Sequence, residues 1–303
     1  MADADRATYA DRAAGTDRVV AVLGTGVVPA ETPILRGHDL GVLRGDGVFE
    51  TLHVRDGVPW LLDEHLARMG RSAARLELAL PAREALAGLS AEACAAWPAG
   101  VEGALRLVCT RGTEDATRGT ASAPGAATVF ATIGPVGPET RRARHEGVAV
   151  VTVPLGVAAR WRPAAPWLLG GAKTLSYAVN MASLRHAQSV GAEDVLWVST
   201  DGYALEAPTS TLVWRDGDRL VTVPAEATGI LPGTTARYLL DQVAPALGLR
   251  ADEEMVAPGR LSELDGAWLL SSVRGIAEIR ALDGVPLRPA LDTARLRDLL
   301  GYC

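Results

Sequence analysis

Antiparallel hairpins recur in both halves of this sequence, and they constrain its fold more than any other pattern. Residues 48–54 alternate apolar and polar side chains, and Arg55-Asp56-Gly57 separates them from a second apolar run at residues 58–62. In the second half, residues 212–214 and 220–223 flank the turn Arg215-Asp216-Gly217-Asp218. Asp-Gly pairs favour the tight turns whose twist matches that of antiparallel strands. We therefore predict a β-hairpin in each half of the chain.

Helical periodicity alternates with these strands. Residues 66–76 place apolar side chains at helical spacing, which predicts a helix with one apolar face, and Asp63 is predicted to cap it. Residues 177–184 show the same spacing, and that helix is predicted to end near Gly191. Strands and helices mixed in this way predict a two-domain α/β (α+β) protein.

A glycine- and proline-rich break predicts the domain boundary. Residues 134–138 read Gly-Pro-Val-Gly-Pro, and a charged segment follows them. We place a small α/β domain at residues 18–136 and a large domain at residues 137–303. Residues 1–17 are rich in Ala, Asp and Arg and lack a hydrophobic signal segment, so we expect a flexible extension on a cytoplasmic protein.

Charge and cysteine usage exclude several classes of function. The formal net charge of −6 and the pI near 5.5 argue against nucleic acid or a membrane surface as a partner. Cys94, Cys109 and Cys303 are odd in number and lack the Cys-x-x-Cys spacing of a zinc site or redox pair. The five histidines form no His-Glu-x-x-His pair, so we expect no metal site.

The chain contains a single lysine, Lys173. Lysine and arginine together number 30, so 29 of these residues are arginine. A lysine amine can lose its proton and form a Schiff base with an aldehyde, whereas an arginine side chain stays protonated. A lysine retained against such a bias indicates covalent chemistry. The alternative, that one codon escaped a compositional drift, stays open on this observation alone.

A glycine-bounded loop leads into a predicted helix further along the chain. Residues 229–235 read Gly-Ile-Leu-Pro-Gly-Thr-Thr, and a helix is predicted at residues 236–247. Backbone amides at a helix start, beside two hydroxyl groups, can bind an anion such as a phosphate. An ordinary N-capped helix explains the same residues.

Taken in order, several spaced motifs resemble those of the class IV aminotransferases, which are fold-type IV enzymes that use pyridoxal 5′-phosphate (PLP) and include D-amino acid aminotransferase. The resemblance covers residues 35–287. It depends on Arg44-Gly45-Asp46-Gly47-Val48-Phe49-Glu50-Thr51, His65-Leu66-Ala67-Arg68, Lys173 with Tyr177 and Asn180, Glu206-Ala207-Pro208-Thr209-Ser210-Thr211, and Gly229-Ile230-Leu231-Pro232-Gly233-Thr234-Thr235.

The resemblance implies a role for each site residue. Lys173 would bind the cofactor covalently and move the substrate's α-proton, while Glu206 would keep the pyridine nitrogen protonated. Tyr177 would hydrogen-bond the phenolic oxygen of the ring, and Leu231 would pack under the ring. The phosphate would be held by four residues, namely Arg68, Thr234, Thr235 and Ser272. By helical periodicity alone, Arg68 would be a solvated surface charge.

Two departures from the family pattern affect these details. The family usually has Gly after the ring-facing Glu and Asn further along that loop, where this chain has Ala207 and Thr211. Tyr177 is also one residue nearer the lysine than in the branched-chain enzymes. The first departure lies next to the residue assigned to the ring nitrogen, and the second changes the spacing between Tyr177 and Lys173.

Within the family, Thr110-Arg111-Gly112 and Ser271-Ser272-Val273-Arg274-Gly275-Ile276 resemble the 4-amino-4-deoxychorismate lyases, which release pyruvate and 4-aminobenzoate for folate synthesis. The lyase substrate carries two carboxylates, and Arg111, Arg118 and Arg274 are the candidate partners for them. The main alternative is a transaminase of branched-chain or D-amino acids. A third is a catalytically silent paralogue, against which Lys173 and Glu206 count. The resemblance also implies a homodimer with its active site in a cleft between the domains.

Overall fold

The computed structural model describes residues 18–113 and 127–302. The chain divides into two compact units. The first runs to Val136 and also contains Ala172–Ser176, and the second contains Gly137–Gly171 and the residues from Tyr177 onward. The segment that carries the lysine therefore belongs to the first unit.

The first unit is one antiparallel sheet with two longer helices packed against it. Its elements are β1 (Val19–Val22), β2 (Gly26–Val28), α1 (Leu40–Arg44), β3 (Gly47–Arg55), β4 (Val58–Pro59), α2 (Leu62–Arg75), α3 (Arg83–Ala95), β5 (Gly103–Thr110) and β6 (Val129–Pro135). The strands lie in the order β2-β1-β6-β5-β3-β4. Met69 of α2, Leu89 of α3, and Leu52 and Leu105 of the sheet are buried together in its core.

The second unit contains a mixed sheet. Its elements are α4 (Pro138–Glu146), β7 (Val148–Pro154), α5 (Trp161–Ala164), a 3₁₀ turn (Pro166–Leu168), α6 (Ala178–Ser189), β8 (Asp194–Val198), β9 (Thr211–Asp216), β10 (Arg219–Thr222), α7 (Ala225–Thr228), α8 (Thr234–Tyr238), a π turn (Leu239–Val243), α9 (Ala244–Ala246), β11 (Arg250–Glu253), a second 3₁₀ turn (Pro258–Glu263), β12 (Gly266–Ser271), β13 (Gly275–Leu282), β14 (Val285–Pro286) and α10 (Thr293–Leu299).

The sheet of the second unit runs in the order β11-β10-β9-β12-β13-β7-β8, with β14 paired to β13. The pairs β10–β11, β13–β7 and β7–β8 are parallel, and the others are antiparallel. Leu212 and Trp214 of β9, Leu269 of β12 and Ile279 of β13 are buried in its core. The core thus gathers side chains from neighbouring strands of the sheet.

Both predicted hairpins form, with one difference in length. Strands β3 and β4 pair around Asp56-Gly57, and β9 and β10 pair around Gly217. Strand β4 ends at Pro59, and α2 begins at Leu62. The prediction that Asp63 caps α2 was therefore wrong, because Asp63 lies inside the first turn, where its negative charge still complements the helix dipole.

The helix predicted at residues 177–184 is α6. The side chain of its Ser183 accepts a hydrogen bond from Trp197 Nε1 of β8 at 3.1 Å.

Within residues 18–113 and 127–302, no helix has the length and apolar character needed to cross a bilayer.

Candidate active site

The backbone of Lys173 is fixed at both its N–H and its carbonyl group within the first unit. Lys173 N donates to Ser72 Oγ at 3.0 Å, and Phe49 N donates to the Lys173 carbonyl oxygen at 3.2 Å. Leu175 N donates to Gly47 O at 2.9 Å, so the segment lies along β3 like a short added strand. Lys173 Nζ lies 4.4 Å from the centre of the Phe49 ring. The amine is thus held over an aromatic face at the start of β3.

Gly47 is required for this arrangement. A Cβ atom at Gly47 would come within 2.6 Å of the Cys109 carbonyl oxygen and 2.7 Å of Leu175 Cδ1. Both distances are shorter than van der Waals contact, so a side chain at this position would force the backbone of β5 and the side chain of Leu175 to move. The absence of a side chain at Gly47 therefore allows close packing beside Leu175, which lies two residues after Lys173.

Arg68 is buried and paired with Glu50. Its Nε donates to Glu50 Oε1 at 2.8 Å and its Nη2 donates to Glu50 Oε2 at 2.6 Å, which is the bidentate geometry that guanidinium and carboxylate groups favour. His65 Nδ1 lies 2.7 Å from Glu50 Oε2. Arg68 is 4% exposed, and Glu50 and His65 are 0% exposed. The interpretation of Arg68 as a solvated helix charge is excluded by this burial.

The charges in this cluster follow from its contacts. Burial by itself would raise the pKa of Glu50, but the charge and hydrogen bonds of Arg68, together with His65, outweigh it and lower the pKa to about 2. Burial lowers the pKa of His65, while Glu50 opposes that shift. An ionised carboxylate can only accept hydrogen bonds, so neutral His65 donates from Nδ1. Glu50 therefore fixes both the orientation of Arg68 and the tautomer of His65.

We expect Glu50→Gln to destabilise the protein at neutral pH by about 3 kcal/mol, because it removes the charge that compensates the buried Arg68. Since folding lowers the pKa of Glu50 from 4.5 to about 2, this stabilisation is present above pH 4.5 and is lost as the pH falls towards 2. The difference in unfolding free energy between the two proteins, measured by denaturant titration, should shrink over that range.

The exposed pair of Asp63 and Arg83 offers a matched control for this variant. Asp63→Asn should change the unfolding free energy by less than about 1 kcal/mol, since exposed ion pairs contribute little. Equal effects of Glu50→Gln and Asp63→Asn would show that the buried cluster does not depend on the Glu50 charge.

Arg111, a candidate for binding the substrate, makes several hydrogen bonds within the first unit. Its Nε donates to Asp46 Oδ2 at 2.6 Å, and its two terminal nitrogens donate to the carbonyl oxygens of Leu76 and Glu77 at 2.6 and 3.2 Å. These bonds connect the end of β5 to the end of α2. Arg118 lies outside the described residues.

In the second unit, the Glu206 carboxylate is held at both oxygens. Arg162 Nη1 donates to Glu206 Oε1 at 3.2 Å, and Leu231 N donates to Oε2 at 3.0 Å. The Glu206 side chain is 9% exposed. A glutamate after an Asp-Gly turn would ordinarily be a surface residue, so its burial beside an arginine is a feature that the local sequence does not explain.

Tyr177 and Asn180 bind one carbonyl group. Tyr177 Oη donates to the Pro208 oxygen at 3.0 Å, and Asn180 Nδ2 donates to the same atom at 2.7 Å. The hydroxyl group of tyrosine has one proton, so donation to a cofactor oxygen would require Tyr177 to exchange this bond. These two bonds attach the start of α6 to the loop that follows Glu206.

The loop before α8 has the chemistry of a phosphate site. Thr235 Oγ1 is buried and has no hydrogen-bond partner in the described part of the chain. Thr234 Oγ1 lies 3.4 Å from Ser272 Oγ. A Cβ atom at Gly233 would come within 2.2 Å of Thr211 Oγ1, so only glycine fits there. A buried hydroxyl without a partner, at the start of a helix whose first amides make no bonds within the helix, fits an anionic group.

Arg274, the other described candidate for binding the substrate, makes hydrogen bonds within the second unit. Its Nη1 donates to the buried Asp194 at 2.7 Å and its Nη2 donates to Ser210 Oγ at 2.6 Å. Its Nε is buried and has no hydrogen-bond partner among the described residues. Arg274 thereby connects the turn after β12 to the start of β8 and to the loop that follows Glu206.

Sequence reasoning missed the partners of the predicted residues. Glu50 lies in phase with Val48, Leu52 and Val54 on β3, and a charged residue in the apolar phase of a strand could have indicated a buried role. The contact of Arg162 with Glu206 could not be recognised from the sequence, because arginine residues occur throughout this chain.

This geometry agrees with the comparisons to known proteins. The family model described as amino-transferase class IV matches residues 47–282. The chain belongs to the class IV aminotransferase family and is an enzyme of that family. The predicted family, the two-domain fold-type IV architecture and the PLP cofactor are thereby confirmed.

Individual relatives and solved structures match most of this chain. The chain is 41% identical to a bifunctional aminodeoxychorismate lyase / D-amino acid transaminase of Mycobacterium tuberculosis, over 88% of this chain and 92% of that protein. The solved structure of a hypothetical aminotransferase from M. tuberculosis, in its PLP-bound form, matches with a TM-score of 0.87 and 39% identity, over 93% of this chain and 97% of that chain. The 4-amino-4-deoxychorismate lyase of Pseudomonas aeruginosa matches with a TM-score of 0.73 and 29% identity, over 93% and 97%.

Proposed function

We propose that this enzyme is a 4-amino-4-deoxychorismate lyase, which releases pyruvate and 4-aminobenzoate for folate synthesis. The observation that carries this proposal is the 41% identity, over 88% of the chain, to a relative named as such a lyase and as a D-amino acid transaminase. The same relative favours a second candidate function, the transamination of D-amino acids. Branched-chain amino acids are the weaker alternative, since the relative of that name is 25% identical.

Bound PLP supplies an electron sink for the pair of electrons that remains when an α-proton leaves an amino substrate. In our proposal, Lys173 would hold the cofactor through a covalent bond from Nζ. Once the amino group of the substrate has displaced Nζ, the free amine would take the α-proton and later give a proton back to the product. Glu206 holds a proton at the pyridine nitrogen, and Tyr177 and Leu231 orient the ring. These roles agree with the fixed backbone of Lys173 and with the buried, doubly bonded carboxylate of Glu206.

Four residues are proposed to hold the phosphate, namely Arg68, Thr234, Thr235 and Ser272. The buried hydroxyl of Thr235 supports this assignment, because a phosphate oxygen would satisfy it. Glu50 supports the role of Arg68, because the bidentate pair fixes the plane of the guanidinium group. An arginine oriented in advance loses little side-chain entropy when an anion binds.

Arg111, Arg118 and Arg274 are the proposed partners of the two substrate carboxylates. Arg274 already binds Asp194 and Ser210, and its buried Nε is the group that a substrate carboxylate could use. Arg111 would have to exchange bonds that it makes to Asp46, Leu76 and Glu77. We also propose a homodimer and a cytoplasmic location, both by likeness to the family.

The two candidate functions differ in whether they need a second substrate. Transamination needs a keto acid to accept the amino group, whereas the lyase reaction does not. The purified protein, loaded with PLP and given 4-amino-4-deoxychorismate alone, should release equal amounts of pyruvate and 4-aminobenzoate over many turnovers. Elimination needs no keto acid, because it returns the cofactor unchanged in each cycle. Chromatography of both products checks this, with Lys173→Arg as the inactive control.

The opposite result would be equally clear. A protein that leaves 4-amino-4-deoxychorismate intact, yet transfers the amino group of D-alanine to 2-oxoglutarate, would be a transaminase. Inactivity in both assays, together with the absence of a visible cofactor band, would reject the proposed enzyme altogether.

A further inference from the structure

Arg162 forms an ion pair with the Glu206 carboxylate. Its Nη1 lies 3.2 Å from Glu206 Oε1. The two side chains are 18% and 9% exposed, so water screens this pair far less than a surface ion pair. The second oxygen of Glu206 accepts from Leu231 N. The carboxylate is therefore both oriented and charge-compensated within one unit.

The position of Arg162 is itself constrained by two glycines. A Cβ atom at Gly170 would lie 3.1 Å from Arg162 Cβ, and a Cβ atom at Gly229 would lie 3.0 Å from the same atom. Gly229 has φ of +66° and ends α7, which also favours glycine there. Arg162 Cβ thus packs closely against the backbone at both glycines, and a side chain at either one would force Arg162 to shift.

We propose that Arg162 is a positioning residue that keeps Glu206 ionised, so that the proton shared between Glu206 and the ring nitrogen of PLP resides on the nitrogen. This inference rests on the proposed role of Glu206. A buried carboxylate without a nearby positive charge favours its neutral form, and it would then keep the shared proton. Because Arg162 contacts the carboxylate directly, its charge stabilises the ionised form of Glu206 more than it disfavours a protonated ring.

The test uses the full-length enzyme loaded with PLP that carries nitrogen-15 in its ring. In the native protein, the nitrogen-15 chemical shift should be that of a protonated pyridine. In Arg162→Gln, the shift should move towards the value of neutral pyridine, and kcat should fall on the order of tenfold to a hundredfold, as expected for the loss of a charge-assisted hydrogen bond. The dissociation constant of PLP should change by less than about threefold, since the phosphate contacts remain.

Three further variants separate positioning from a general effect on structure. Arg162→Lys keeps the charge and should leave the ring nitrogen protonated. In a Glu206→Gln background, Arg162→Gln should have no additional effect on the nitrogen shift or on kcat, because Arg162 acts through Glu206. Arg260→Gln removes an exposed arginine paired with Glu263 and should match the native enzyme in both measurements.

Each outcome supports or overturns the inference. A ring nitrogen that stays protonated in Arg162→Gln, with kcat equal to that of Arg260→Gln, overturns it. If Arg162→Gln fails to fold, Arg162→Met keeps the unbranched stem between the two glycines and carries the same expectation. If the native protein itself binds no PLP, the proposed function fails, and that failure is visible before any variant is compared.

Discussion

Lys173→Arg should abolish both the visible absorbance of the cofactor and turnover. Arginine keeps the positive charge over Phe49, but it cannot form the covalent bond with the aldehyde of PLP. We expect kcat to fall by at least about a thousandfold, which corresponds to roughly 4 kcal/mol of barrier. Absorbance spectroscopy and steady-state assays measure the two effects.

The single lysine makes this experiment unusually specific. Borohydride reduction of the loaded native protein should attach one cofactor to the peptide that contains Lys173, and the variant should carry none at that position. Arg71 is exposed on α2, so Arg71→Lys in the Lys173→Arg background supplies a second lysine as a control. That double variant should stay inactive. A Lys173→Arg protein that keeps the absorbance band and normal turnover would refute the proposed chemistry.

Glu206→Gln should lower turnover on the order of a hundredfold or more while PLP stays bound. Glutamine can still accept the hydrogen bond from Leu231 N, but it carries no negative charge to hold a proton at the ring nitrogen. The phosphate candidates, including Thr235 and Ser272, are unaltered by the substitution. Assays of kcat and a fluorescence titration of PLP binding separate the two effects.

Glu263 provides the matched control, since it is an exposed glutamate paired with Arg260. Glu263→Gln should leave kcat, PLP affinity and thermal unfolding unchanged. Loss of folding in Glu206→Gln would make Glu206 a structural residue, and unchanged turnover would remove it from the ring-nitrogen site.

The parts of the fold that were predictable from sequence are those with local patterns. Strand alternation and the Asp-Gly turns predict the hairpin of β3 and β4 and that of β9 and β10, because each signal depends on residues a few positions apart. The same holds for the buried face of α2, which includes Met69 and Ala73. The start of α2 was less predictable, because Leu61 adopts a left-handed conformation that no cap motif indicates.

The candidate site was predictable only as a set of separate residues. Lys173 was distinguished by being the one lysine, and Arg68 and Glu206 by their motifs. The cluster of Arg68 with Glu50 and His65 required the structure, since helical periodicity alone places Arg68 on a solvated face.

By itself, the sequence of this protein predicted both hairpins, its family and one candidate for the reactive lysine, Lys173. The tertiary structure decided which charges are buried and how they are compensated. Glu50 and Arg68 are 18 positions apart, Arg162 and Glu206 are 44 apart, and Lys173 and Ser72 are 101 apart. Contacts over such separations depend on how sheets and helices pack, and no local spacing records them. The physical reason is that the ionisation of a charged side chain depends on its burial, on nearby charges and on its hydrogen bonds, all of which packing determines.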